Sequence, residues 1–199
     1  MKLVFATNNN NKLKEVRQLM PAEIEILSLK DIGCDDELPE TGRTLNENAF
    51  QKAQYVHEKY GWNCFSDDTG LEVQALGGRP GVISARYAGP ACRASDNIQK
   101  LLTELKNEEN RNARFRTVIA CLIDSEVHYF EGQVDGLITE TESGDKGFGY
   151  DPVFKPSSSE ITFAEMTPEE KNQRSHRAES IRKFVDWLKL RKDLTETQN

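Results

Sequence analysis

The sequence predicts an α/β protein whose mixed β-sheet is flanked by helices. Apolar runs of strand length alternate with segments of helical period through the first half of the chain, and two long strand-like runs then follow back to back. Strand–helix alternation ahead of a hairpin is the pattern of a sheet holding both parallel and antiparallel pairs. At 199 residues the chain can bury a substantial interior, so residues 1–192 read as one domain and residues 193–199 as a frayed tail.

Leu3 to Ala6 form a buried strand that stops at an asparagine-rich loop, after which Leu13, Val16, Leu19 and Met20 recur at helical spacing. Ile24, Ile26 and Leu27 outline a second strand. Thr44 followed by Glu47 is a capping box, and the helix it opens places Leu45, Ala49, Ala53, Val56 and Tyr60 on one face. Cys64-Phe65 is a short strand that ends in an acidic cluster, and Gly77 to Gly81 is a loop by composition. Ile98, Leu101, Leu102 and Leu105 define another amphipathic helix. The hairpin strands are Phe115–Ile123 and Val127–Ile138, joined by Asp124-Ser-Glu126. Thr167-Pro-Glu-Glu170 combines an N-cap, a proline at the first helical position and a capping-box glutamate. Ser175 caps the last helix, whose inner face is Ile181, Phe184, Val185 and Leu188.

Composition narrows the function. With 37% hydrophobic and 30% charged residues the chain is a folding sequence, not a disordered one. A formal charge of -7 leaves no excess of Lys and Arg to neutralise a nucleic-acid backbone, so no nucleic-acid partner is expected; a small anion needs only a local basic cluster. Cys34, Cys64, Cys92 and Cys121 show no C-x-x-C pair and read as reduced thiols, not zinc ligands. The apolar run Leu3 to Ala6 is too brief for a signal peptide or a membrane span, which makes the cytoplasm the expected compartment, without a membrane partner.

Four polar clusters carry chemistry. Thr7-Asn8-Asn9-Asn10-Asn11-Lys12 lies between a strand and a helix, where backbone N–H groups and the positive helix end favour an anion and Lys12 adds a charge. Asparagine reaches left-handed backbone cheaply, so the run could wrap an anion as glycines do; it could equally be a solvated turn. Asp67 and Asp68, followed by Thr69-Gly70, are adjacent carboxylates able to ligate Mg²⁺ and deprotonate a water, or the acids of a surface turn. Glu40 is a further candidate ligand within an acid-rich stretch, and Lys52 falls four residues after Asn48 on the same helix face. Phe148 and Tyr150 lie among Gly147 and Gly149, either exposing a ring face for base stacking or packing under a glycine turn. His176 and Arg177 start a helix, where the macrodipole disfavours cations, so a ligand or neighbouring acid is expected there.

In this order the clusters resemble the inosine triphosphate pyrophosphatase family, house-cleaning enzymes that remove deaminated purine nucleotides before they enter DNA and RNA. The resemblance runs from Leu3 to about Leu188 and rests on T-x-N-x-x-K at 7–12, S-D-D-T-G at 66–70, L-G-G-R-P-G-V-I-S-A-R-Y at 76–87, G-F-G-Y-D-P-V-F at 147–154 and S-H-R at 175–177. It implies an elongated mixed sheet with two lobes and a central cleft, a homodimer, and Mg²⁺-dependent hydrolysis of ITP, dITP or XTP to the monophosphate and pyrophosphate. By position, Thr7, Asn9 and Lys12 in the loop through Asn8, Asn10 and Asn11 would hold phosphates. Glu40 and Asp68 would hold the metal, with Asp67 beside them, and Asp68 would be the general base. Lys52 and Thr69 would contact substrate, and Phe148, Gly149, Tyr150, Asp151, Lys171, His176 and Arg177 would form the nucleoside pocket. Arg86 would sit at the cleft or the dimer interface. Position 8 is commonly glycine in the family and is Asn8 here.

Water attack at the α-phosphorus would require cations along the departing pyrophosphate, for which Lys12 and Lys52 are the candidates. A donor aimed at the 6-carbonyl of hypoxanthine or xanthine would meet the amino group of adenine unpaired, at about 1–3 kcal/mol per buried mismatch. Two other readings compete. Maf-type pyrophosphatases share the implied fold but open with S-x-S-P-R-R, which is missing here. A nucleotide sensor would have no use for the acids Glu40, Asp67 and Asp68.

Overall fold

A computed structural model describes the backbone of residues 1–196 and the side chains of residues 1–191; the tail expected to fray, 193–199, lies outside the residues whose side chains are described. Seven strands and five helices form the mixed α/β architecture: β1 (Lys2–Phe5), α1 (Asn10–Leu19), β2 (Glu25–Leu27), α2 (Leu45–Tyr60), β3 (Cys64–Val73), β4 (Pro80–Gly81), α3 (Ala94–Glu104), β5 (Asn112–Ile123), β6 (Glu126–Ile138), β7 (Phe154–Pro156), α4 (Pro168–Arg174) and α5 (His176–Glu196). The strand order is β2-β1-β3-β5-β6-β7, with β4 paired to β3. β1 is parallel to β2 and to β3, whereas β3–β4 and β6–β7 are antiparallel. Among the described residues no helix is long and apolar enough to cross a membrane.

The chain divides into two compact units, and β3, β5 and β6 contribute residues to both. Unit 1 comprises Met1–Asp68, Thr117–Gly132 and the chain from Arg177 on; unit 2 comprises Thr69–Arg116 and Gln133–His176.

Unit 1 is layered by the two-residue period of its strands. Leu3 and Phe5 of β1 join Val16, Phe65, Ile119, Ile181 and Phe184 in a cluster under α1 and α5. Val4 and Ala6 point the other way, into a cluster with Ala53, Val56, Cys64 and Leu122 under α2. Stacking of Phe5 on Phe65, centroids 4.7 Å apart, and tilted contact of Phe65 with Phe184 at 5.0 Å tie strands to α5. From β1 the chain winds through α1 to β2 on one side, and β3 then pairs on the other side of β1. Thr7 and the asparagine run leave β1 at the carboxyl end of the strand, beside this reversal of strand order, which is where sheets of this kind usually take their ligands.

Unit 2 has its own core, in which Leu71, Val73, Ile98, Leu101, Phe115, Ile138, Tyr150, Phe154 and Phe163 are buried together. The capping box at Thr167 forms as expected, Thr167 and Glu170 exchanging side-chain and backbone bonds; at Thr44 only half of it forms, because Thr44 Oγ1 accepts the Glu47 N–H but the Glu47 carboxylate accepts the N–H of Arg43, one residue earlier.

Three elements differ from the sequence reading. The strand expected to stop at Phe65 instead runs ten residues, carrying Asp67 and Asp68 inside β3 rather than at its end. A charged pair is tolerated there because the charges find partners, as described below. Asp124 and Ser125 both take positive φ, 52° and 67°, so the hairpin turns on two residues whose twist suits its strands. The short edge strand β7 had no periodicity to announce it.

Candidate active site

Strand alternation separates the two aspartates of unit 1. Asp67 follows Phe65 toward α1 and α5, and Asp68 follows Cys64 and Ser66 toward α2. On the first side, Lys12 Nζ donates to Asp67 Oδ1 at 3.0 Å and Arg177 Nε to Asp67 Oδ2 at 3.0 Å. The Arg177 guanidinium also bonds the carboxylate of Glu15 on α1. Burial alone would push the Asp67 carboxyl up, but Lys12, Arg177 and Lys52 together hold it well below the usual range. Burial and the neighbouring cations lower Lys12, with Asp67 partly offsetting them.

On the second side, Asn48 Nδ2 donates to Asp68 Oδ2 at 3.0 Å. Lys52, only 4% exposed, places its ammonium 2.8 Å from the Asp67 carbonyl and 4.0 Å from Asp68 Oδ1, and bonds the Glu40 carboxylate. Burial raises Asp68 above the ordinary carboxylate value, against the pull of Lys52 and Lys12. A carboxylate that is buried, oriented and raised is suited to accept a proton.

The asparagine run works differently from the expectation. Among the described residues the non-glycine positions of positive φ are Cys92, Asp124 and Ser125, none of them in the run. Its asparagines act through side chains instead. Asn9 caps α1, its Oδ1 accepting the N–H groups of Asn11 at 2.9 Å and Lys12 at 3.2 Å. Those two amides therefore serve the cap before any anion. Asn8 Nδ2 donates to the Asp36 carbonyl at 3.2 Å, and its Oδ1 accepts from Leu38 N at 3.5 Å, which ties the loop to the segment leading to Glu40. Thr7 Oγ1 accepts the Asn9 N–H at 3.1 Å.

A divalent cation fits part of the expected ligand set. Lys52's ammonium already lies among the Glu40 carboxylate, Asp68 Oδ1 and the Asp67 carbonyl, hard oxygen donors of the kind Mg²⁺ takes. Lys12, Lys52 and Arg177 pair with the carboxylates of Glu15, Glu40, Asp67 and Asp68. Asp67, expected beside the metal, commits both side-chain oxygens to Lys12 and Arg177. The carboxylates of Glu40 and Asp68 would suit Mg²⁺, whose sites usually take one or two protein carboxylates and are completed by water and phosphate.

Unit 2 gathers a second set. Asp151 Oδ2 accepts the Phe148 N–H at 2.7 Å and the Lys171 ammonium at 2.7 Å. Lys171 also lies 4.7 Å from the centroid of the half-buried Phe148 ring. Gly147, with φ of 75°, makes this possible, since a Cβ there would strike the Asp151 carboxylate. His176 is buried and stacks on Phe115 with centroids 4.6 Å apart. Tyr150 is a core residue: it is buried and its hydroxyl donates to the Ser84 carbonyl at 2.8 Å. Gly149 holds a positive φ beside it. Thr69 is half-buried on β3, and Arg86 ends a short 3-10 turn.

His176 stacks within unit 2, while Arg177 is engaged by Asp67 and Glu15 of unit 1. Sequence reasoning missed Glu15 and Asn48. Asn48 had one signal, its place four residues before Lys52; Glu15 had none, because its partner lies 162 residues away.

The Ham1 family model matches residues 3–187. The dITP/XTP pyrophosphatase of Flavobacterium psychrophilum is 51% identical over 95% of this chain and all of its own length. The Bacillus subtilis protein of the same name is 44% identical, covering 93% of this chain and 96% of its own. Among solved structures, the Staphylococcus aureus Ham1 protein aligns with a TM-score of 0.86 at 36% identity, and a Coxiella burnetii HAM1 protein with 0.87 at 34%. Those two alignments each cover 95% of this chain and 98% of the other.

Proposed function

The chain belongs to the Ham1 family, and we propose that it hydrolyses the aberrant purine nucleotides ITP, dITP and XTP to the monophosphate and pyrophosphate, removing them before polymerases use them. The observation that carries the reading is the treatment of Asp68: buried, held on one oxygen by Asn48, and with its other oxygen 4.0 Å from the ammonium of Lys52, which also bonds Glu40. The names of its relatives, dITP/XTP pyrophosphatases at 44% to 51% identity, support it.

In this mechanism Asp68 takes the proton of a water that attacks the α-phosphorus. Lys12 and Lys52 offset the charge that gathers on the departing pyrophosphate. Asp67 does not exchange protons; it keeps Lys12 ionised and in place while Arg177 steadies it. Glu40 and Asp68 would hold Mg²⁺, whose charge offsets that of the phosphates and lowers the pKa of bound water. For base recognition, Phe148 offers a ring face and Lys171 and His176 polar atoms, with Asp151 setting the position of both Phe148 and Lys171. Homodimerisation and a cytoplasmic setting complete the proposal.

Incubation with ITP and Mg²⁺ tests it. IMP and pyrophosphate as products support the reading; turnover restricted to dTTP or UTP would favour a Maf-type enzyme, and binding without turnover a sensor.

A further inference from the structure

Asn48, 1% exposed on α2, uses both ends of its amide. Oδ1 accepts the Gly42 N–H at 2.7 Å, and Nδ2 donates to Asp68 Oδ2 at 3.0 Å. A backbone N–H can only donate and an ionised carboxylate only accept, so the two partners determine which way the amide points. Gly42 follows Glu40 by two residues, and the intervening Thr41 N–H is held by Gln51 Oε1 at 3.0 Å, also from α2. Lys52, on the same helix, bonds Glu40 itself. One stretch of α2 therefore grips the Glu40 loop at successive positions while reaching Asp68 from the same amide. The approach is close: a Cβ on residue 42 would lie 2.8 Å from Asn48 Oδ1 and 2.6 Å from Glu47 Cβ.

A carboxylate's terminal torsion is broad, so nothing intrinsic to Asp68 decides which oxygen faces the reaction. We propose that Asn48 is the positioning residue of this centre: it commits Asp68 Oδ2 to the protein, and by the same amide registers the Glu40 loop, so that Asp68 Oδ1 and the Glu40 carboxylate are presented together to a divalent cation and the attacking water. The inference rests on the pyrophosphatase reading of unit 1 and adds to it a residue that does not touch the substrate.

Two variants and two readouts test it. In Asn48→Ala, kcat for ITP at saturating Mg²⁺ falls about ten- to a hundredfold while KM for ITP stays within about threefold. Binding of Mn²⁺ to the nucleotide-free protein, followed by calorimetry, weakens about tenfold. Asn48→Leu keeps much of the side-chain volume and adds no charge but loses the donor to Asp68; it retains a cooperative melting transition and loses kcat similarly, so the claim stays decidable if Asn48→Ala fails to fold. A folded variant with wild-type kcat at saturating Mg²⁺ overturns the proposal. Should the wild type release no pyrophosphate from any purine triphosphate, the functional reading fails by itself. The Mn²⁺ titration then decides the positioning claim, which is overturned by affinity that is unchanged in Asn48→Ala or undetectable in both proteins.

Discussion

Asp67 and Asp68 are adjacent in sequence, yet their carboxylates serve opposite faces of β3: Asp67 is clasped by Lys12 and Arg177 under α1 and α5, and Asp68 is held by Asn48 of α2. The same burial acts on both, and the difference in counter-charge sends one carboxyl below its ordinary range and the other above it. Divergent environments of this kind distinguish a structural acid from a proton acceptor.

Replacing the proton acceptor should separate chemistry from binding. Asp68→Asn is expected to lower kcat by about 10²–10⁴-fold, the range of a lost general base, while nucleotide binding by equilibrium dialysis persists. Wild-type pyrophosphate release from this variant would remove Asp68 from that role.

Arg177 should matter first for stability. Arg177→Ala strips the guanidinium from two carboxylates, Asp67 and Glu15, and is expected to cost about 3–5 kcal/mol in urea unfolding because a buried ion partner is removed. Arg177→Lys should recover little, since a point charge cannot reproduce the planar fork that serves both acids. A loss below about 1 kcal/mol, within the range of exposed pairs, would contradict the burial argument.

In unit 2, Gly147→Ala combines a positive-φ position with a Cβ directed at the Asp151 carboxylate. Strain of about 1–3 kcal/mol is expected. The Asp151 contacts to Phe148 and Lys171 should loosen with it, raising KM for ITP. An unchanged KM would detach that cluster from base recognition.

Asp36 sets an acid-range signature. Hydrogen bonds from Lys59, Tyr60 and Tyr55 lower its carboxyl from 3.8 to about 2. A folded-state pKa below the unfolded one adds stability that is full above 3.8 and is lost as pH falls toward about 2. The stability gap between wild type and Asp36→Asn, measured by denaturant titration at successive pH values, should therefore be constant near neutrality and shrink below 3.8. A gap that widens on acidification would reverse the sign.

Thiol reactivity should follow burial. Cys92 is exposed, whereas Cys34, Cys64 and Cys121 are buried, and burial pushes the Cys64 thiol up to about 12. Native protein should titrate a single thiol rapidly with a disulfide reagent, and urea should release the other three. Rapid reaction of several thiols in the native state would show unit 1 opening on that timescale.

Most of the architecture was legible because its signals are local. The period of Leu13, Val16 and Leu19, the N-caps at Thr44 and Thr167, and the hairpin around Asp124 each depend on residues within one turn or one strand. The extent of β3 was not, since Ser66 to Gly70 looks like a turn until the aspartates acquire partners from other elements. For Tyr150 the sequence left open an exposed ring face or packing under a glycine turn, and the buried bond to the Ser84 carbonyl, 66 residues distant, decides for the core.

What the amino-acid order determined unaided is most of the elements and the family, because periodicity, caps and motifs are short-range properties of the chain. The folded molecule decided the pairing of charges: Arg177 with an aspartate 110 residues earlier, Glu15 with Arg177, and Asn48 between Asp68 and Gly42. A charge finds its partner only after helices have packed on opposite faces of one sheet, and that packing is driven by apolar burial, which has no preference for which acid meets which base.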